Sequence, residues 1–211
     1  MAAARTGITA TASAATTASA ATETEFSSVA QRERRQRILD ATLALASKGG
    51  YEAVQMRAVA DRAGVALGTL YRYFPSKIHL LVSGLAREFE RNQEKLDRTP
   101  IPGHTPYERM LFVLGRITRT MQREPMLTEA MTRAFMFADP SAAAEVNTVA
   151  RLMEHMLTSA MHEGEPTGDE IAIARIIGDV WLSSLVAWVT RRASADDVSN
   201  QLELAARLLL R

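Results

Sequence analysis

"AGVALGTLYRYFPSK", residues 63–77, is the stretch on which the reading of this chain turns. Gly64 can adopt the left-handed backbone that ends one helix and turns the chain sharply. Ahead of it, Met56, Val59, Ala60 and Ala63 recur at helical spacing over about Gln55 to Ala63. Behind it, Leu67 to Tyr73 reads as a second short helix, closed off by Pro75. Leu70 and Phe74 lie one turn apart and fold inward with Val65 against Ile38, Leu45 and Val59. Leu67, Gly68, Thr69, Tyr71, Arg72 and Tyr73 are left facing partly or wholly outward.

Two tyrosines and a bare glycine are a poor way to solvate a helix, but they suit the face of a duplex. Gly68 permits close approach, Thr69 can reach a base edge or a thymine methyl, and a tyrosine hydroxyl can bond phosphate oxygen. Two short helices joined by a tight glycine turn form a helix-turn-helix, whose second helix lies in the major groove. The competing use of Tyr71 and Tyr73 is packing on a larger bundle nearby. Lys77 falls in the first turn of the next helix, where a cation opposes the helix dipole and a bound phosphate would reverse that sign. Gln55 and Arg57 offer the same arrangement at the start of the preceding helix, and Arg32, Arg34 and Arg35 can meet flanking backbone.

Charge supports this reading. Val29 to Leu80 carries nine cations and four anions, a balance of +5 in a chain whose net charge is only +1, so the rest is mildly acidic. The 211 residues contain no cysteine, which excludes disulfides and fits a reducing compartment. Charged residues interrupt the longest apolar runs before about 20 residues, so no membrane span is expected. Residues 1–27 are Ala, Thr and Ser with little else and read as a disordered tail.

The fold expectation is all-α, since no run alternates with period two. A first helix over about Val29 to Lys48 stops at Gly49-Gly50, and a fourth opens at Pro75-Ser76 and runs to about Asp97. "RTPIPGHTP" (98–106) breaks the chain. Helices follow at about 106–123, 125–138, 141–163, 168–191 and 195–210. This gives a DNA-binding head at 28–76 and a larger bundle at 77–211.

The bundle is rich in adaptable apolar side chains that could line a cavity for a greasy ligand: Leu111, Leu114, Met121, Leu127, Met131, Phe135, Met136, Met153, Met156, Trp181, Leu185 and Trp188. Gly115, Thr118, Gly178 and Ser184 would leave volume unfilled. Arg116, Arg119, Arg123 and Arg133 are candidate partners for a carboxylate or phosphate, with a solvated face as the competing use. The last two helices carry more apolar surface than one bundle needs. Ile173, Ile177, Val180, Leu202, Ala205 and Leu209 are expected in a two-fold interface that spaces two recognition helices about one DNA turn apart. No enzyme signature is present. His155, His162 and Glu163 share a predicted helix, but no further ligand completes a metal site.

"GGYEAVQMRAVADRAGVALGTLYRYFPSKIHLL" (49–81) resembles the DNA-binding signature of the TetR family of bacterial repressors. The resemblance implies a fold of about nine helices, a homodimer formed by the last two, a palindromic operator, a ligand pocket within the bundle and a cytoplasmic, nucleoid-associated protein. It also implies that ligand entry moves the fourth helix and releases DNA. Val54 stands where the family often has a capping Thr, and Ala66-Leu67 replaces a frequent polar pair. The recognition helix therefore lacks a side-chain N-cap, and Leu67 offers only apolar contact to a base. From about Ala30 to Leu210 the chain resembles a branch of the family that represses sterol catabolism in actinobacteria, through "QRERR", "MLTEAMTRAFMFAD" and "DVWLSSLVAWVTRRASADDVS". That branch implies no cofactor and an effector that is a cholesterol-derived acid or its coenzyme A thioester. A different hydrophobe, such as a fatty acyl-CoA or a drug, is the alternative.

Overall fold

The computed structural model describes residues 9–162 and 164–210, with side chains from Val29 onward. Among the described residues there are nine α-helices and no strand. Helix α1 spans Thr9–Ala53. It begins before the expected Val29, in an Ala-rich stretch where helix costs little per residue; residues 1–8 of the expected tail lie outside the described residues. Gly49 (φ −144°) and Gly50 (φ 62°) break α1 where the sequence puts its stop. A Cβ on Gly50 would lie 3.0 Å from Glu129 Oε2 and 3.2 Å from Met126 Cε, so the break is both a backbone and a packing requirement.

Helix α2 (Met56–Ala63) ends on Gly64 in the left-handed conformation, whose N–H returns to the Ala60 and Asp61 carbonyls. Helix α3 (Leu67–Tyr73) follows, and its N-cap Ala66 offers no side-chain bond. Helix α4 (Lys77–Asp97) is the spine: Leu80 to Arg87 are buried without interruption because α1, α6 and α7 all pack on it. Helices α5 (Pro106–Arg123), α6 (Pro125–Met136), α7 (Ala143–Met161), α8 (Gly168–Val189) and α9 (Ala195–Leu209) complete the bundle. A 3₁₀ turn at Pro140–Ala142 replaces the expected first turn of α7.

The head core is Ile38, Leu39, Val54, Val59, Leu70 and Phe74, all at most 1% exposed. The body core is built on Leu80, Leu81, Met110, Leu114, Met156, Leu157, Ile177 and Trp181. Arg87 joins the two. Its guanidinium is buried, 2.9 Å from Asp40 Oδ1 and 3.0 Å from Gln36 Oε1, so α4 is tied to α1 by a charge-assisted bond whose carboxylate stays exposed to solvent.

Three helices start on reciprocal caps: Thr105 with Glu108, Thr167 with Glu170 and Ser194 with Asp197. Backbone donors hold these carboxyls below their ordinary values of 4.5 and 3.8: His104 and Thr105 N–H on Glu108, Thr167 N–H on Glu170, Ser194 N–H on Asp197. A lowered folded value contributes stability above the unfolded value and loses it as pH falls through the folded one. The triple variant E108Q/E170Q/D197N is therefore expected to melt lower than wild type at pH 7 and to converge with it as pH falls through the lowered folded values, read by thermal melts across pH. Parallel curves at all pH would refute this.

Candidate nucleic-acid interface and internal cavity

Helix α3 presents the residues the sequence assigns to it. Leu70 is fully buried, whereas Tyr71 is 47% exposed and Ala66, Gly68 and Arg72 are exposed beside it. Packing on the body therefore does not account for Tyr71. Tyr73 is half-buried, its ring 6.5 Å from that of Phe74, so it divides its surface between head core and solvent. Among the described residues nothing lies within 4 Å of where a Gly68 side chain would begin, which leaves the backbone open to an approaching surface. Leu67 and Thr69 are half-buried at the same edge.

Gln55 and Arg57 are exposed at the start of α2, where Gln55 makes no capping bond of its own. Arg32 and Arg35 are exposed and Arg34 is half-buried. Arg35 rests over the Phe74 ring at 5.4 Å, which fixes its stem against the head. Lys77 departs from expectation. Its Nζ donates to the Tyr51 carbonyl at 3.2 Å and lies 3.9 Å above the Tyr51 ring, so it is turned back onto the end of α1. The flexible stem reaches an internal acceptor, and that contact relieves the dipole opposition assigned to a phosphate.

Two small cavities lie beside α4. One, of about 90 Å³, is walled by α4, α5 and α6 through Leu85, Glu88, Phe89, Asn92, Ile117, Thr120, Met121, Glu124, Leu127, Thr128 and Met131. The second, of about 40 Å³, is walled by Leu85, Phe89, Met121, Thr132, Phe135, Val149, Met153, Trp181, Leu182 and Leu185. They share Leu85, Phe89 and Met121, so one occupant can span both. Of the expected lining, Met121, Leu127, Met131, Phe135, Met153, Trp181 and Leu185 meet these cavities. Leu111, Leu114, Met156 and Trp188 do not: Leu114 and Met156 are sealed in the core, and the other two are half-buried against it. Met136 is 50% exposed, on a surface groove between α6 and α8. The α4 wall is additional to the expected lining, and its Leu85, Phe89 and Asn92 recur at i, i+4, i+7. Gly178 leaves no volume, because Met153 Cε would lie 2.8 Å from its Cβ; Arg119 fills the space by Gly115.

None of Arg116, Arg119, Arg123 and Arg133 walls either cavity. Arg133 instead caps Tyr51 of the head at 4.2 Å and meets Glu52 at 3.0 Å. His162 falls past the end of α7, 3.9 Å from Glu170, and Glu163 lies outside the described residues.

Helix α8 is long and apolar enough to cross a membrane, yet only 28% of its most apolar window is buried within the protomer. Ile177 (0% exposed) and Leu202 (3%) are spent on the core, which corrects their assignment to an interface. The surface is one helical step away: Ile176 (47%), Leu204 (39%) and Leu208 (60%) are exposed, with Ile173, Val180, Ala205 and Leu209 half-buried.

The head and the body each match a family model. Residues 38–83 match "Bacterial regulatory proteins, tetR family", and residues 103–209 match "Tetracyclin repressor-like, C-terminal domain". The chain is similar to the HTH-type transcriptional repressor KstR of Mycolicibacterium smegmatis, at 68% identity over 89% of this chain and 92% of that protein. It is similar to the KstR of Mycobacterium tuberculosis at 65% identity over 89% of this chain and 86% of that one. A TetR transcriptional regulator from Rhodococcus sp. RHA1 superposes with a TM-score of 0.79 at 32% identity, over 85% of this chain and 97% of that one. A Thermus thermophilus repressor, FadR, solved with lauroyl-CoA, shares the fold with a TM-score of 0.65 at 22% identity, over 83% of this chain and 93% of that one. With its helix-turn-helix head and its helical bundle both matched, the chain belongs to the TetR family of bacterial transcriptional regulators.

Proposed function

We propose that the protein is a dimeric repressor of sterol-catabolism genes, released from a palindromic operator by a cholesterol-derived acid or its coenzyme A thioester. One observation carries the DNA-binding half: Tyr71 is exposed on a helix held rigidly by the buried Leu70 and Phe74, beside an open Gly68. Its DNA-contacting set is Arg32, Arg34, Arg35, Gln55, Arg57, Leu67, Gly68, Thr69, Tyr71 and Tyr73. The dimer face is the register exposed on α8 and α9, Ile173, Ile176, Val180, Leu204, Ala205 and Leu208, which supplies the partner the apolar helix α8 requires.

The cavities support an apolar effector body. The smaller is lined by Thr132 alone among polar side chains apart from the Trp181 indole, and neither has a cationic wall, so a carboxylate or coenzyme A would stay towards solvent. Sites that enclose a ligand of this size run to about 300–1,000 Å³. A four-ring occupant must therefore spread α4 from α6 and α8, and α4 carries the head at its N-terminus. A C27 steroid-acid coenzyme A thioester is expected to weaken operator binding by about 10- to 100-fold in a fluorescence-anisotropy titration, with cholesterol itself inert. The Thermus relative holds lauroyl-CoA, and a fatty acyl-CoA is the second reading. Release by lauroyl-CoA and not by the steroid thioester would establish it.

A further inference from the structure

We propose that α6 transmits cavity occupancy to the DNA-reading head through a clasp on Tyr51. This rests on the reading above in one respect, that the effector enters beside α6.

Helix α6 has two working faces. Leu127, Thr128 and Met131 wall the larger cavity. Met126, Glu129 and Arg133, at i, i+3, i+7, face the end of α1. There two cations lie against the Tyr51 ring, Lys77 Nζ at 3.9 Å from its centroid and Arg133 Cζ at 4.2 Å. The Tyr51 N–H donates to Glu129 Oε2 at 3.2 Å, and its carbonyl accepts from Lys77 at 3.2 Å. Arg133 Nη1 also reaches Glu52 Oε1 at 3.0 Å. Gly50 is buried with φ 62°, pressed on Met126 and Glu129, so this turn of α1 has no slack against α6.

Three elements thus meet on one ring: the end of α1, the last turn of α6 and the first residue of α4, which is separated from α3 by three residues. A helix moves as a rod. An occupant that displaces the cavity face of α6 carries Glu129 and Arg133 with it, and Tyr51 must follow or lose both contacts. The surface ion pairs are individually weak, but allosteric coupling asks only for a factor of about 5–150 between the two states. The clasp makes contacts that differ between those states, which is what coupling requires. Arg133 is therefore a positioning residue for the switch and no effector ligand.

The test uses the full-length protein and a C27 steroid-acid coenzyme A thioester as probe. Operator affinity is measured with and without probe, and probe affinity without DNA. In Arg133→Ala and Tyr51→Leu the probe's effect on operator affinity should fall at least fivefold, while probe affinity without DNA changes less than threefold. Undiminished release would overturn the clasp. A second cycle needs no ligand. Leu127→Trp, filling the larger cavity, should weaken operator binding about tenfold alone and less than twofold beside Arg133→Ala; Leu127→Phe serves if helix content by circular dichroism falls. Equal weakening in both backgrounds, or none in either, overturns the proposal. A probe that fails to bind wild type refutes the effector reading alone, and the second cycle still decides the clasp.

Discussion

Tyr71→Ala is expected to lower operator affinity by at least about 30-fold while leaving the melting temperature within about 2 °C of wild type. The two halves of that expectation have separate causes. Tyr71 is 47% exposed, so its removal opens no cavity and strands no buried group, and such surface changes stay within about 0.5 kcal/mol of stability. Against DNA, a lost stacking or hydrogen-bonding contact costs roughly 1–3 kcal/mol, and a two-fold dimer loses it twice. Arg57→Ala offers a contrast within the head. Loss of a phosphate contact should weaken specific and random DNA alike and reduce the salt slope by about two, one for each protomer of the dimer, whereas Tyr71→Ala should also flatten the preference for the operator. Retained affinity in Tyr71→Ala would remove the recognition helix from the account.

Trp181→Ala is expected to destabilise the body by about 3–5 kcal/mol, the usual cost of deleting a buried aromatic ring. The melting temperature should fall by roughly 6–20 °C for a chain of this length. Trp181 is 1% exposed and meets Phe89 edge-to-face at 6.0 Å and 83°, so the loss removes an aromatic pair as well as volume. It also walls the smaller cavity, and that separates packing from recognition. Trp181→Phe keeps most of the ring and should recover most of the stability, yet it reshapes the wall against which a rigid effector rests. A shift in steroid-thioester affinity with the fold intact marks a ligand wall. Unchanged affinity in Trp181→Phe reduces Trp181 to core.

The helices were legible because their stops are chemical. Gly49-Gly50, Gly64 and the prolines at 75, 125 and 140 interrupt patterns that cannot continue through them, and α3 begins and ends where the sequence puts it. The head was legible for the same reason: in so short a helix, burying Leu70 and Phe74 leaves Tyr71 no choice of side. The interface register was harder to read. Helix α8 is apolar nearly all round, so periodicity does not separate Ile176, exposed, from Ile177, buried. The long cations were illegible. Lys77 and Arg133 find Tyr51 from 26 and 82 positions away, and no local pattern announces an aromatic ring arriving from another helix. The cavity wall on α4 carries a readable stripe of Leu85, Phe89 and Asn92, but an apolar stripe at that spacing is equally the signature of ordinary core packing.

The central claim is that a rigidly held aromatic helix meets the duplex and that occupancy of the bundle withdraws it. Side-chain footprinting by hydroxyl radicals tests both halves in one experiment, since the chain has only four tyrosines and Tyr107, on α5, serves as internal reference. Labelling of Tyr71 is expected to fall at least fivefold when operator is added and to return when the steroid-acid thioester follows, with Tyr107 constant throughout. Equal labelling of Tyr71 with and without operator would contradict the account.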